Sequence, residues 1–356
     1  MTPRVDVVIA VHDPTRPIER AVGSVLGGTT APVRVTVVVH NTEPAPVLER
    51  LSPFAEDARL RTQELRDGIP SPAGPFNAGL DAATAEFRAV MGSDDELEPG
   101  AIDSWLGRAD RAGARVVIAR VRHAGGRAIP TPPTRPGRTA GLDPVRDRLS
   151  YRSAPLGLFS RDAFDDLRFP VCLPVGEDIP FVTRLWLSGQ AIAYDRRGPA
   201  YLVHADAQSR TTTLIRPLDV EFQWLDALFA EEAFTGATAD RQGAVVVKLL
   251  RVHVFGAVLN RPDPASWTAV ERRALAGVAD RLVAAGHGIE RVLARRDRAL
   301  LDAISDPAVP AADLLRAAVR RRRFGAPGTL LPRDLRCTFH REAGLRMAAA
   351  SALQLL

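Results

Sequence analysis

Ser93, Asp94 and Asp95 stand where a short apolar run (Phe87, Ala89, Val90, Met91) stops abruptly. Adjacent carboxylates at the exit of a buried strand are costly unless something binds them. Hard oxygen ligands there suit a divalent cation that itself holds phosphate oxygens. The competing reading is a plain helix start, because Asp caps helices and Glu96 and Glu98 favour a helix N-terminus. Further along, Glu177 and Asp178 follow Val175-Gly176 directly and precede a strongly apolar helix. Carboxylates at such a core edge can accept a proton from an incoming hydroxyl; Asp178 also reads as no more than a helix cap. His12 and His40 end neighbouring apolar runs, but a zinc site would need a third ligand and none lies near them in sequence. Arg210 is placed to meet a phosphate or to be a solvated surface cation. His204 reads equally as a satisfied core histidine after a strand or as a functional one.

The elements that must position these residues follow from periodicity. Val5 to Val11 and Val33 to Val39 are β-branched runs of the kind buried in parallel sheets. Between them, Pro17 and Glu19 open a helix with Ile18, Ala21, Val22, Val25 and Leu26 on its apolar face, and Gly27-Gly28 stop it. A helix near Val47 to Phe54, a strand near Leu60, then a loop, helix and strand lead to Asp94. Ala101 to Ala112 predicts a helix, Arg115 to Val121 a strand, Pro155 to Phe159 an apolar segment, Arg161 to Leu167 a helix, and Ala191 to Asp195 a strand. The stretch from Ala124 to Leu142, rich in Gly, Pro, Thr and Arg, predicts a mobile loop or lid. This alternation implies an α/β fold with a mostly parallel sheet, flanking helices and right-handed crossovers. Ligands of such sheets sit beyond the carboxyl ends of the strands, where His12, Asp13, Asn41, Asp94 and Asp95 all fall. Beyond Thr213 the pattern is helical: Leu218 to Phe229, Gln242 to Leu259, Trp267 to Ala285, Ile289 to Ile304, Ala311 to Arg322 and Glu342 to Leu355.

Bulk properties narrow the classes. With 356 residues, 46% hydrophobic and 25% charged, the chain is long enough for one large and one smaller domain. No uninterrupted apolar run approaches the length of a membrane span, and Asp6 with no basic leader argues against a secretory signal. Cys172 and Cys337 match no metal spacing and suit unpaired thiols in a reducing cytoplasm. From Arg241 onward, 19 Arg and Lys248 stand against 10 acidic residues, a balance of +10 that leaves −5 for the rest. That asymmetry can face an anionic membrane or an acidic polymer. The absence of zinc-finger, RNP-like and helix-turn-helix patterns argues against nucleic acid.

Four pieces now stand in order: a strand ending V-H-D-P, a strand ending V-H-N-T, the N-A-G…G-S-D-D segment, and V-G-E-D-I-P-F. Together, over roughly Val5 to Thr213, they resemble the inverting family 2 glycosyltransferases of the GT-A fold. The resemblance implies a nucleotide-diphosphate-sugar donor, a divalent metal (Mg²⁺ or Mn²⁺) on its diphosphate, and an Asp base. It places Val11, His12 and Asp13 where the family usually has an aromatic and then Asn or a similar residue, beside the nucleobase and ribose. The V-H-N-T-E segment stands where a family Asp commonly contacts uracil, so Asn41 or Glu43 takes that place or the nucleobase differs. Asn77 matches an Asn commonly near the nucleotide. The family's D-x-D becomes Gly92-Ser93-Asp94: the first acid is missing, Asp94 matches the last, and Asp95 lies beside it. Glu177-Asp178 matches the family's E-D, with Asp178 as base, and His204 resembles a His that often helps hold metal or diphosphate.

The expectation is therefore a GT-A-like catalytic domain over residues 1–213 and a helical domain over 214–356 that serves acceptor binding or homo-oligomer contacts. The reaction implied is sugar transfer, with inversion, to an acceptor glycan, polymer or lipid-linked saccharide, in cell-wall or polysaccharide biosynthesis. The location implied is cytoplasmic, with peripheral contact at the inner face of a membrane through the basic helices. Two alternatives remain open: a catalytically inactive nucleotide-sugar-binding scaffold, and a nucleotidyltransferase. The latter lacks its Gly-rich basic phosphate loop here.

Overall fold

Eleven strands occur in chain order, in a computed structural model that describes residues 2–205 and 215–355. They are β1 (Val5–Val11), β2 (Val33–His40), β3 (Leu60–Leu65), β4 (Phe87–Gly92), β5 (Glu96–Leu97), β6 (Val116–Ala119), β7 (Val121–His123), β8 (Ala128–Ile129), β9 (Gly157–Ser160), β10 (Ile192–Asp195) and β11 (Tyr201–Val203). Interleaved are α1 (Ile18–Gly28), α2 (Pro44–Arg50), α3 (Ala73–Ala82), α4 (Ala101–Ala112) and α5 (Asp178–Leu187). The expected Arg210 contact lies outside the described residues. The chain divides into two compact units. One comprises Met1–Thr131, Gly137–Leu142 and Arg152–Thr212, the other Pro132–Pro136, Asp143–Tyr151 and Thr213–Leu356.

In the first unit, seven strands form one sheet in the order β10-β6-β9-β4-β1-β2-β3. The Val-rich β1 and β2 are both interior strands of this sheet and are buried along nearly their whole length. They pair in parallel, with Val5 opposite Val33 and Val11 opposite Val39. β9 alone runs antiparallel, to both β4 and β6. It can lie so close because Gly157 has φ +132°, and a Cβ there would stand 2.0 Å from the Val117 carbonyl oxygen. A smaller sheet has the order β5-β11-β7-β8.

One polar anchor sits inside this core. Asp6, 1% exposed, takes Arg34 in a two-pronged ion pair (Nε–Oδ1 and Nη2–Oδ2, both 2.6 Å). Its Oδ2 also accepts the Thr84 and Ala85 backbone N–H groups at 2.6 and 2.8 Å. A carboxylate with four donors meets the requirement for burying charge, and it ties β1 and β2 to the turn before β4.

Three expectations change. Arg115 to Val121 is two strands, β6 and β7, because the chain leaves the large sheet at Arg120 and enters the small one. Residues 161–167 form turns rather than a helix: Phe164 N–H bonds to the Arg161 carbonyl and Leu167 N–H to the Phe164 carbonyl. Their acids are drawn outward, Asp165 to Arg88 and Asp166 to Arg184. The stretch read as a lid carries β8 and a bridge from Ala140 to Ala193, and its backbone is shared between the two units.

The second unit is helical, with no strand among its described residues. Its central run, Ala239–Leu259, is long and apolar enough to cross a membrane by length and composition, but two-thirds of it is buried, as in a core helix. A π-helical segment, Leu250–Val254, interrupts it. Arg251, buried here, bonds Asp297 at 3.1 Å and Tyr151 Oη at 3.1 Å, and Arg321 closes on the same Asp297 at 2.6 Å.

Candidate active site

At the exit of β4 the chain turns so that the Asp95 and Asp94 side chains fold back over position 92. A Cβ there would stand 2.6 Å from Asp95 Oδ2 and 3.4 Å from Asp94 Oδ1. A larger residue at position 92, where the D-x-D pattern has its first acid, would require the Asp95 carboxylate to shift. Instead the Gly92 N–H donates to Tyr201 Oη at 3.0 Å, and Tyr201 donates to Asp95 Oδ2 at 2.6 Å. Burial and the Asp95 charge keep the Tyr201 phenol protonated. Asp95 Oδ1 accepts the His204 backbone N–H at 3.2 Å. Burial, opposed by the Tyr201 bond and aided by the Asp94 charge, pushes the Asp95 carboxyl up. Ser93, 1% exposed, has a hydroxyl with no hydrogen-bond partner. Asp94 pairs through Oδ1 with Arg16 Nη1 at 2.8 Å, and Arg20 donates to the Asp94 carbonyl. Neither arginine was expected at the site; the signal available was two cations near the start of the first helix.

The ends of β1 and β2 arrive beside it. Val11 is buried. Asp13 Oδ1 shapes the turn by accepting from Thr15 N–H at 2.9 Å and Thr15 Oγ1 at 2.7 Å. Loss of hydration holds the His12 imidazole below its ordinary value, and the Arg16 charge adds to it. At the end of β2, Asn41 adopts φ +52° and spends its amide on the loop after β3. Its Nδ2 donates to Asp67 Oδ1 at 3.0 Å and its Oδ1 accepts Gly68 N–H at 3.0 Å. Glu43 faces solvent on Arg66 at 3.1 Å. Sequence reasoning missed Asp67, the acid gathered here, whose Oδ1 is 2.8 Å from His40 Nε2. Burial works to raise its carboxyl. The Ile69 N–H and the His40 and Asn41 donors outweigh that and hold it below the ordinary range. Its only sequence signal was an Asp-Gly turn after a strand.

Asn77 does not face these strand ends. Its Nδ2 donates to the Phe169 carbonyl and its Oδ1 accepts the Phe169 N–H, both at 2.8 Å. A side-chain amide that mimics a strand partner in this way fixes backbone. Phe169 in turn stacks on Phe181 of α5 at 3.9 Å and 10°. Trp186 Nε1 bonds the Arg152 carbonyl at 3.0 Å. Asn77 therefore helps orient α5, the helix that opens with Asp178. Because β10 runs parallel to β6, the helix feeding it starts at the edge where β1 and β4 end. Glu177 occupies the cap position without a side-chain capping bond, and both acids are half-buried.

Asp94, Asp95 and His204 do not assemble the expected three-ligand metal site. Asp95 is turned to Tyr201, and His204 Nε2 lies 2.9 Å from Glu96 Oε2. No group of three or more His, Cys, Asp or Glu side chains among the described residues is arranged to hold a metal. The donor chemistry that remains, the single hard carboxylate of Asp94, fits a cation held mainly by phosphates and water.

Comparison with known proteins bears on the family and the fold. The sequence pattern of glycosyl transferase family 2 matches residues 6–168. The chain is 34% identical over 117 residues to the succinoglycan biosynthesis protein ExoO of Rhizobium meliloti (strain 1021), a match spanning 33% of this chain and 32% of that protein. The fold is that of S. aureus TarS residues 1–349 in complex with UDP-GlcNAc, with a TM-score of 0.73, 17% identity, and 90% and 92% of the two chains covered. The full TarS chain gives a TM-score of 0.68, covering 92% of this chain and 56% of that one. The large mostly parallel sheet with its flanking helices is thus the GT-A fold, followed by a helical region.

Proposed function

Because this chain belongs to glycosyl transferase family 2 through residues 6–168, we propose that it moves a sugar from a nucleotide-diphosphate donor to an acceptor hydroxyl with inversion. The observation that carries this reading is the placement of two kinds of carboxylate at one sheet edge. Asp94 lies in the turn just after β4, and Glu177-Asp178 open α5. Asp178 takes the acceptor proton while the hydroxyl oxygen attacks the anomeric carbon, and the C–O bond to the diphosphate breaks on the opposite face. The first turn of α5 favours the ionised carboxylate and holds it rigidly. Asp67, His12 and the β2 end border the nucleoside. Asp94 is the residue that would hold Mg²⁺ or Mn²⁺. When bound, such an ion supplies charge neutralisation for the departing diphosphate.

The test is a thermal-shift panel of nucleotide sugars with EDTA or Mn²⁺, since a ligand of the native state raises its stability. Wild type is expected to respond to one nucleobase. Asp94→Ala is expected to remain folded and lose most of the metal-dependent part of the shift. A shift indifferent to both EDTA and Asp94→Ala removes the metal role, and no shift with any nucleotide sugar removes the donor assignment.

The helical unit would supply acceptor or homo-oligomer contacts, in a protein working in the cytoplasm at the inner face of a membrane. Arg320, Arg322 and Arg323 are exposed beside Phe324, which is 85% exposed. Basic groups around an exposed aromatic suit an anionic bilayer. Sedimentation with anionic vesicles at low salt is expected, with release at high salt, because the attraction is screened within about 8 Å at physiological ionic strength. Equal recovery with neutral and anionic vesicles would end that idea.

A further inference from the structure

We infer that Asn77 is a positioning residue for sugar transfer: it sets the place of the Asp178 carboxylate relative to the strands that border the donor, and it does not touch the nucleotide. This deepens the glycosyl-transfer reading above and rests on it. Asn77 commits both polar ends of its amide to the backbone of Phe169, each bond 2.8 Å long. One turn further along α3, Asp81 Oδ1 takes Arg168 Nε at 2.7 Å. The helix thus grips the chain at two successive residues. Phe169, 3% exposed, stacks on Phe181. Phe181 follows Asp178 by three residues, a spacing that shares one helix face, so the stack lies one turn from the carboxylate. Between the two rings the chain loops outward over residues 170–180. The tip of that loop has little packing of its own: Val171 is 56% exposed and Cys172 is exposed at φ +65°. Its feet therefore decide where Glu177 and Asp178 stand.

What separates positioning from plain stability is where the other face of α3 rests. Gly79 is two residues on from Asn77 and so lies on nearly the opposite side of the helix. A Cβ at Gly79 would stand 2.2 Å from Val8 Cγ1, so α3 lies flush on β1, the strand that leads to His12 and Asp13. One face of α3 is set against a donor-side strand and the other holds the foot of the base-bearing loop. Close-packed interiors transmit displacements rather than absorb them. Directional bonds from Asn77 to backbone fix the register where packing of rings alone would let Phe169 slide. A misplacement of about 1 Å between catalytic group and substrate can cost on the order of 10²-fold in rate, while a donor site built from strand ends stays intact.

The experiment uses the full chain. UDP-glucose, UDP-N-acetylglucosamine, dTDP-glucose and GDP-mannose are screened for release of nucleoside diphosphate to water. In that reaction a water oxygen attacks the anomeric carbon, the C–O bond to the diphosphate breaks, and Asp178 takes the water proton. Titration calorimetry reads the affinity and stoichiometry of the released diphosphate. Asn77→Ala is expected to lower the hydrolysis kcat by roughly 10- to 100-fold, with diphosphate Kd and stoichiometry as in wild type. Equal stoichiometry shows that every molecule keeps a folded donor site. Phe169→Leu keeps the backbone that Asn77 bonds and removes the stack. It should lower kcat as well, and the double variant should be little worse than the poorer single one, since both act through one contact. If Asn77→Ala hydrolyses normally while Asp178→Asn does not, the inference fails and the base reading stands. If Asn77→Ala loses diphosphate affinity, Asn77 is a nucleotide ligand and the inference fails. If stoichiometry falls while kcat per bound site is unchanged, Asn77 serves stability alone and the inference fails. If Asp178→Asn hydrolyses normally, or wild type hydrolyses none of the four, the base reading falls and takes this inference with it.

Discussion

Asp178→Asn is expected to transfer sugar at a rate roughly 10²-fold or more below wild type, the usual worth of a positioned base, with donor affinity near normal. The substitution preserves shape and removes the one property a base needs, an ionised oxygen. Its surroundings argue that the effect is chemical rather than structural. The helix behind Asp178 is fixed independently by the Phe169–Phe181 stack, the Trp186 hydrogen bond and the Arg184–Asp166 pair. Glu177→Gln should be milder if Glu177 only orients or touches the acceptor. Turnover measured beside donor affinity for both variants decides the matter. A near-normal rate in Asp178→Asn places the base elsewhere.

Asp6→Ala should be the most damaging single change to the first unit. It strands the Arg34 guanidinium, 9% exposed, and leaves the Thr84 and Ala85 N–H groups without their acceptor. Removing one partner of a buried ion pair typically costs about 3–5 kcal/mol, on the order of 10 °C in Tm for a unit of this size. Urea unfolding followed by circular dichroism reads it. A loss below about 1 kcal/mol would mean that Arg34 escapes to water without difficulty.

Much of this molecule was legible because its signals are local. The Val-rich runs marked β1 and β2, and α4 spans Ala101–Ala112 as its periodicity required. Hydrophobic patterning depends on the covering of each face, which neighbours in sequence report. What stayed hidden depends on partners far along the chain. Nothing near Asn77 reveals that its amide is taken by Phe169, nor does anything near Asp94 reveal Arg16. The break at Arg120 is hidden for the same reason: the strand pattern runs on into Val121, and the pairing of β6 with β10 and of β7 with β11 separates the two. The strand-end acids were found by type. Their different surroundings, with Asp94 paired to Arg16 and Asp95 turned to Tyr201, depend on residues far from both in sequence.

The antiparallel β9 has a consequence for how this sheet comes into being on a ribosome. β4 and β6 are each made well before the strand that separates them, and neither is satisfied until Phe159 and Ser160 have been added opposite Arg88 and Phe87. While residues 120–156 are being synthesised, the nascent chain carries two apolar strands, each with an edge awaiting the same partner. Open edges of that kind template pairing with other chains, and long-range closure is slow. The interval between translation of Ala119 and Ser160 therefore leaves both strands open on the β9 side, which Gly157 lets the closing strand fill, while the other edge of β6 waits for β10.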